Sequence, residues 1–501
     1  MKWLLVLPVV LPFITAAVSL ACKKNLQRQY YASLIGSVLH CGACLFLLSA
    51  VFRNGIMVMQ VGNWPAPFGI TLVADHLSGI MAGVTGILSL CVAVYSRSEI
   101  TSFIREGGYD PLVQILTGGV CGAFLTGDLF NLYVWFEVML MASFGLLILG
   151  REKIQFDGGV KYVMINLFST LLFITGIGLL YGMTGTLNMA DLHQAVREVP
   201  DKALLSAVAL IFMTAFGIKA GIFPLFFWLP VSYHTPPVSV SAILAGLLTK
   251  VGVYSMIRLF SLVFLFDIGW THGLLLIAAV LTMITGVLGA AAYNEFRRIL
   301  SFHIISQVGY MIMGLALFTP LALAGTVFYL LHHMIVKANL FLITGLSQRA
   351  GGSFELESLG GLYKHHGLIA ILFFIPAFSL AGFPPLSGFW AKMILIRAGL
   401  EINSYGAAAA AVIVGLLTVY SMTKIWGEAF WKPKPTENSG HSRIHPQPLD
   451  TWMLLPVAVL SAMTLVIGLM PGPFLAIAER AAFELTHPEL YVHAVMGALP
   501  K

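Results

Sequence analysis

Four lysines and one glutamate stand inside uninterrupted apolar stretches of this 501-residue chain: Lys219, Lys250, Lys337 and Lys392, and Glu137 in LYVWFEVMLM. A charge at the centre of a bilayer costs about 2.5–3.5 kcal/mol on insertion scales, so five are tolerated only where they face a hydrated interior and find partners. The default chemistry of such residues is an ion pathway. A neutral lysine takes a proton from water, a nearby Glu137 favours the charged form of Lys219, and withdrawing that carboxylate's influence releases the proton. Three histidines join the set. His332 and His333 precede Lys337 in YLLHHMIVKANLFL, and His333 shares a helix face with Lys337 at a spacing of four. His303 lies in SFHIISQ. An imidazole titrates near neutrality, which suits a relay between lysines. The competing readings are a structurally satisfied histidine at 303 and a snorkelling lysine at 337.

Composition dictates what must hold these residues. The chain is 58% hydrophobic and 10% charged, whereas soluble domains carry roughly 25% charged residues. It is therefore read as an all-α polytopic membrane protein in a cell membrane, embedded in the lipid bilayer. Its apolar runs are continuous rather than alternating, which excludes a transmembrane β-barrel. The runs fall at about 3–22, 30–52, 77–96, 112–127, 129–149, 162–183, 204–222, 239–262, 273–292, 299–318, 322–347, 367–396, 407–427 and 452–471, fourteen candidate helices. Only Lys2 precedes the first, while Lys23, Lys24 and Arg28 follow it, the reverse of a signal peptide's charge order. Lys and Arg between the spans, with Arg258 counted as a loop residue, favour one side about two to one. The positive-inside rule then predicts both termini extracytoplasmic.

The net charge of +6 is spread too thinly for a nucleic-acid surface. The five cysteines, Cys22, Cys41, Cys44, Cys91 and Cys121, lie in or beside apolar runs and form no disulfide framework. His40, Cys41 and Cys44 give an H-C-x-x-C run. Without a second ligand pair these are expected to be packing residues, and no metal is predicted. No flavin, haem or iron–sulfur ligand pattern occurs, so no cofactor is expected either. The stretch 432–450, rich in proline and polar residues, is expected to be a cytoplasmic linker too short to fold alone.

Two spans are interrupted next to a lysine. Lys219 is followed by AGIFP, which ends in Pro224, and Pro384 and Pro385 in GFPPLSGFWAK precede Lys392. Proline frees helix carbonyls, tolerable at membrane depth only where protein or water satisfies them. A lysine beside a broken helix, once in each half, is the pattern of an inverted-repeat transporter. The expected organisation is helices 1–3 over 1–111, a first five-helix repeat over 112–262 and a second over 273–427. A linker over 428–451 and a last helix with its tail over 452–501 complete it.

At these residues the chain resembles a known family. FPLFFWLPVSYHTPPVSVSAILAGLLTKVGVY (224–254), NEFRRILSFHIISQVGYM (294–311) and AGFPPLSGFWAK (381–392) are similar to the proton-conducting antiporter-like subunits. That family includes three membrane subunits of respiratory complex I and the large subunits of Mrp-type Na+/H+ antiporters. Length and motif details most resemble the D-type subunits of the Mrp group. The resemblance implies fourteen helices in two inverted five-helix repeats, with half-channels joined by a central hydrophilic axis. It assigns the family's fifth-helix glutamate to Glu137, its seventh- and eighth-helix lysines to Lys219 and Lys250, its eleventh-helix histidine to His333 with Lys337 beside it, and its twelfth-helix position to Lys392. About 30 residues follow position 471, too few for the lateral helix and extra span of the largest complex I relative.

The expected function is a subunit of a multisubunit monovalent cation (Na+)/proton antiporter, partnered by other membrane subunits, with this chain supplying the proton path. Proton pumping in a redox-driven NADH:quinone oxidoreductase-like complex is the alternative, with the redox work done by partners. A non-transporting scaffold is the third reading. A Na+ site needs several oxygen ligands, and no intramembrane carboxylate pair is present, which favours the proton side of the exchange.

Overall fold

Most of the apolar runs begin after a side chain that accepts hydrogen bonds from the otherwise orphaned first-turn N–H groups. Asn25, Asp75, Asp128, Asp201, Asp267, Glu295, Thr319 and Asp450 all cap helices in this way. Asp75 forms a full capping box with Ser78. The computed structural model describes residues 2–434 and 449–497. Most of the linker expected over 428–451, including Arg443, lies outside the described residues, as does Lys501.

The helices are α1 (Leu7–Ala21), α2 (Leu26–Asn54), α3 (His76–Glu99), α4 (Tyr109–Leu125), α5 (Leu129–Ile148), α6 (Lys153–Thr184), α7 (Lys202–Ala220) and α8 (Val238–Leu262). They continue with α9 (Ile268–Ala292), α10 (Phe296–Leu317), α11 (Pro320–Gly351), α12 (Gly367–Ala381), α13 (Ser387–Glu401), α14 (Tyr405–Ile425) and α15 (Thr451–Leu469). Every expected span thus coincides with a helix, the twelfth being split into α12 and α13. Among the described residues, 11 helices are long and apolar enough to cross a membrane, and α1 and α12 are shorter apolar helices.

The inner helices are α3, α8, α10 and α11. In the most apolar stretch of each of the last three, 94% of residues are buried, against 39% in α6 and α9. Large side chains such as Met164, Leu171 and Ile277 point outward from those two helices, as lipid-facing surfaces require. The long α11 lies at the centre, packed against α3, α8, α10, α12, α13 and α15.

The two interruptions are built alike. After α7 the left-handed Gly221 (φ +77°) turns the chain, and the N–H groups of Gly221 and Ile222 both bond the Gly217 carbonyl. After α12 the left-handed Gly382 (φ +92°) does the same, with Gly382 and Phe383 bonding the Phe378 carbonyl. Only glycine takes this conformation without steric cost. Pro224, Pro384 and Pro385 lie in the non-helical segments that follow, so the glycines end the helices and the prolines keep them from resuming.

Three features differ from expectation. An antiparallel hairpin, β1 (Met57–Gln60) and β2 (Thr71–Ala74), fills the connection between α2 and α3. Four-residue strands leave little periodicity to read. Residues past 471 fold into α16 (Pro471–Thr486) and α17 (Pro488–Met496), and α16 lies along α11 and α3. Their apolar faces are shorter than a span and carry no hydropathy signal of their own. Arg258, counted among loop residues, is buried in α8 and paired with Asp75 Oδ2 at 2.6 Å. It also bonds the Tyr254 hydroxyl at 3.2 Å. A guanidinium this deep is retained because a carboxylate is built to meet it.

Candidate ion-translocation site

In the first half, α5, α6 and α7 converge on three side chains. Glu137 on α5 is half-buried, and Lys219 sits two residues before the Gly221 turn. The two make no direct ion pair. Thr170 on α6 stands between them: its hydroxyl donates to Glu137 Oε1 at 2.7 Å and receives Lys219 Nζ at 3.5 Å. The amine also bonds the Asn166 carbonyl, at 3.4 Å. Its remaining surroundings are the Phe136 ring, centred 5.5 Å away, and a cavity of about 20 Å³ lined by Phe136, Tyr162, Asn166, Lys219 and Trp228. That volume holds about one water. Asn166 and Thr170 fall one turn apart on one face of α6, a spacing visible in the sequence but not singled out there.

Helices α7 and α8 meet where Gly252 faces the backbone of Ala220. A Cβ on Gly252 would lie 2.6 Å from Ala220 N, so only glycine permits this approach. The contact brings the end of the Lys219 helix against the helix that bears Lys250. Lys250 has no exposed surface, and its amine bonds the carbonyl of Ala245 on its own helix.

From Lys250 the charged groups follow one another along the α8–α11 and α10–α11 contacts. Helix α11, which bears His333 and Lys337, packs against α8 with Lys250, α10 with His303 and α13 with Lys392. Lys337 is fully buried and donates to the Leu300 carbonyl at 2.9 Å, which excludes snorkelling. His303 is not the structurally satisfied histidine of the competing reading. It and His333 have no hydrogen-bond partner at either ring nitrogen among the described residues, and Thr249 beside Lys250 is likewise unpaired. Buried polar groups without protein partners call for water.

At the second interruption Lys392 on α13 reaches back to the end of α12, bonding the Leu380 and Ala381 carbonyls at 2.9 and 3.0 Å. It thereby satisfies carbonyls that the broken helix leaves free. His332 Nδ1 meets Ser387 Oγ at 2.8 Å, and Ser387 Oγ meets Ser379 Oγ at 2.9 Å, which ties the central helix to both halves of the break. The crossing is tight: a Cβ on Gly388 would fall onto the Ser379 carbonyl oxygen. Tyr329 donates to Gln307, one turn after His303, and its ring stacks on Tyr310 at 5.3 Å between centroids. Thr170, Asn166, Ser379, Ser387 and Gln307 were missed in the sequence because small uncharged polar residues are common in apolar helices and stand out only when their neighbours are known.

Away from this axis, burial would raise the Asp75 carboxyl, but the Arg258 guanidinium and the Ser78 N–H and hydroxyl outweigh it and hold Asp75 below the usual carboxylate range. His234, in the connection before α8, is pushed down to about 4 by burial and by Arg298 and Arg297. It rests between the Pro230 carbonyl at 2.8 Å and Arg298 at 3.1 Å.

Residues 126–418 match the family model described as NADH:quinone oxidoreductase/Mrp antiporter, TM. The chain is 45% identical over 500 residues to the D-type subunit of the Na+/H+ antiporter of Alkalihalophilus pseudofirmus, covering 99% of this chain and 100% of that protein. A chain in the structure of the Mrp complex from Dietzia sp. superposes with a TM-score of 0.90 at 34% identity, over 99% of this chain and 100% of the other. A chain of respiratory complex I from Thermus thermophilus superposes with a TM-score of 0.82 at 23% identity, over 96% and 99% respectively, a likeness of fold.

Proposed function

This chain belongs to the NADH:quinone oxidoreductase/Mrp antiporter transmembrane family, and we propose that it is the proton-conducting D-type subunit of a multisubunit Na+/H+ antiporter. It is a multi-pass membrane transporter subunit rather than an enzyme. The observation that carries the proposal is the set of buried titratable groups, Lys219, Lys250, His333, Lys337, His303 and Lys392, on the mutually packed helices α7, α8, α10, α11 and α13.

The proton enters the succession at Lys219. When Glu137 is held toward Lys219 through Thr170, the ammonium is favoured; when that hydroxyl bridge loosens, the lysine releases its proton toward Lys250. His333 and His303, with free ring nitrogens, pass it by way of water between Lys337 and Lys392. Like charges repel along this axis, so the groups titrate as a set and protonation at one end discourages it at the next. About 2.3 kcal/mol per charge per 100 mV of membrane potential is available to drive the transfer.

We read 112–262 and 273–427 as two inverted repeats. The runs AGIFPL (220–225) and AGFPPL (381–386) support this, since each closes a helix with a left-handed glycine and leads into a break beside a lysine. With the loop bias of Lys and Arg, both termini are extracytoplasmic in the cell membrane. The partners are the other membrane subunits of the complex, and Na+ passes elsewhere than along this lysine axis.

Everted vesicles containing the whole complex, acidified by respiration and then given Na+, test the reading. Na+-dependent collapse of the pH gradient is expected. An assembled complex that ignores Na+, and whose proton movement follows a redox donor, would replace the proposal with the redox-driven alternative.

A further inference from the structure

We propose that His40, Cys44 and Cys121 bind one thiophilic d10 metal ion, Cu+ or Zn2+, in a buried structural site that joins α2, α3 and α4. The expectation that Cys41 and Cys44 merely fill space rested on the lack of a further ligand. The fold supplies one: Cys121 on α4 comes to the same imidazole as Cys44. Cys44 Sγ lies 3.3 Å and Cys121 Sγ 3.4 Å from His40 Nε2, and all three donor atoms lie within 4.8 Å of one another. None of the three residues has exposed surface.

The imidazole is held ready for a metal. Ser89 on α3 donates its hydroxyl hydrogen to the Gly86 carbonyl at 2.9 Å, so its oxygen accepts from His40 Nδ1, 3.2 Å away. Nδ1 therefore carries the ring hydrogen and Nε2 presents its lone pair to the two sulfurs. An oxygen acceptor that fixes the non-ligating nitrogen is the usual second partner of a metal-binding histidine. Gly86 makes room: a Cβ there would lie 2.9 Å from Cys44 Cβ and 3.0 Å from Cys41 Cα. Bond lengths of about 2.0–2.3 Å from a common centre set ligand atoms about 3.5–4 Å apart. The observed separations need only small adjustments to reach this.

Two sulfurs and an imidazole suit a soft cation over Na+, Mg2+ or Ca2+. Binding converts both thiols to thiolates and releases two protons, one per sulfur, with no change of oxidation state. Three donors match the low coordination number of Cu+. Zn2+ with two thiolates and a neutral imidazole is net neutral, which suits an apolar interior, but needs one ligand beyond these three. The site lies apart from the lysine axis, so its role is to fasten the first helices to one another.

The test uses the purified complex, loaded in separate arms with Zn2+ or with Cu+ under reducing conditions and then freed of loose metal. About one ion per copy of this chain is expected in one arm, with two sulfurs and one imidazole nitrogen by X-ray absorption at that metal's edge. Metal content should fall at least about five-fold in Cys121→Ser and in His40→Ala and stay unchanged in Cys22→Ser. A wild-type complex that retains neither metal, or a metal bound through oxygen and nitrogen alone, overturns the proposal. If a variant fails to assemble, the sulfur count in the wild-type spectrum decides alone.

Discussion

Thr170 donates a 2.7 Å hydrogen bond to Glu137 and also holds the position through which Lys219 senses that carboxylate. The glutamate and lysine that sequence alone pairs are thus coupled through a hydroxyl that can rotate. A direct ion pair would fix the lysine charged. A bridged one leaves its charge open to a small movement of α5 against α6.

Replacing Thr170 with valine keeps the shape and removes the bridge. A hydrogen bond to a charged group is worth about 1.5–3 kcal/mol, so Na+-driven proton movement should fall about 10- to 100-fold while the complex still assembles. Thr170→Ser should recover most of the rate. Initial rates of pH-gradient collapse, normalised to assembled complex, check both.

Lys392 serves two ends that substitution can separate. Lys392→Met strands the Leu380 and Ala381 carbonyls and should cost about 2–4 kcal/mol of stability along with transport. Lys392→Gln keeps an N–H donor but no titratable proton. It is expected to melt closer to the wild type while remaining inactive, as read by thermal unfolding in detergent beside the vesicle assay.

The Asp75–Arg258 pair makes stability depend on acid. The folded carboxyl lies below its ordinary range, so its contribution is full above the unfolded value near about 3.9 and is lost as pH falls through the folded value. The melting temperature of the wild type should drop below about pH 4 on this account. Asp75→Asn leaves Arg258 buried and unpaired, costs about 3–5 kcal/mol, and should lack that step. Melting curves between pH 3 and 8 measure both effects.

Gly388→Ala should prevent assembly, because the added methyl runs into the Ser379 carbonyl across the α12–α13 crossing. Gly252→Ala, with 2.6 Å to Ala220 N, should be milder, about 1–3 kcal/mol as overpacking allows. The yield of assembled complex on size exclusion separates them.

Helices and lysines were readable in the sequence because hydropathy reports what must be hidden from water, and Lys219, Lys250, Lys337 and Lys392 break that pattern at visible cost. Their partners were not readable, because Thr170 and Ser387 break it hardly at all. Arg258 was misplaced because its carboxylate, Asp75, lies far away in sequence at the start of another helix. Cys121 is invisible as a partner of His40 for the same reason. Periodicity says which residues are buried, whereas the fold alone says what they are buried against.

The proposed proton path depends most directly on Lys219. In everted vesicles carrying the complete complex, Lys219→Ala should abolish Na+-dependent collapse of the pH gradient while every subunit remains assembled at wild-type level. Normal transport by that assembled variant would contradict a proton path through this chain.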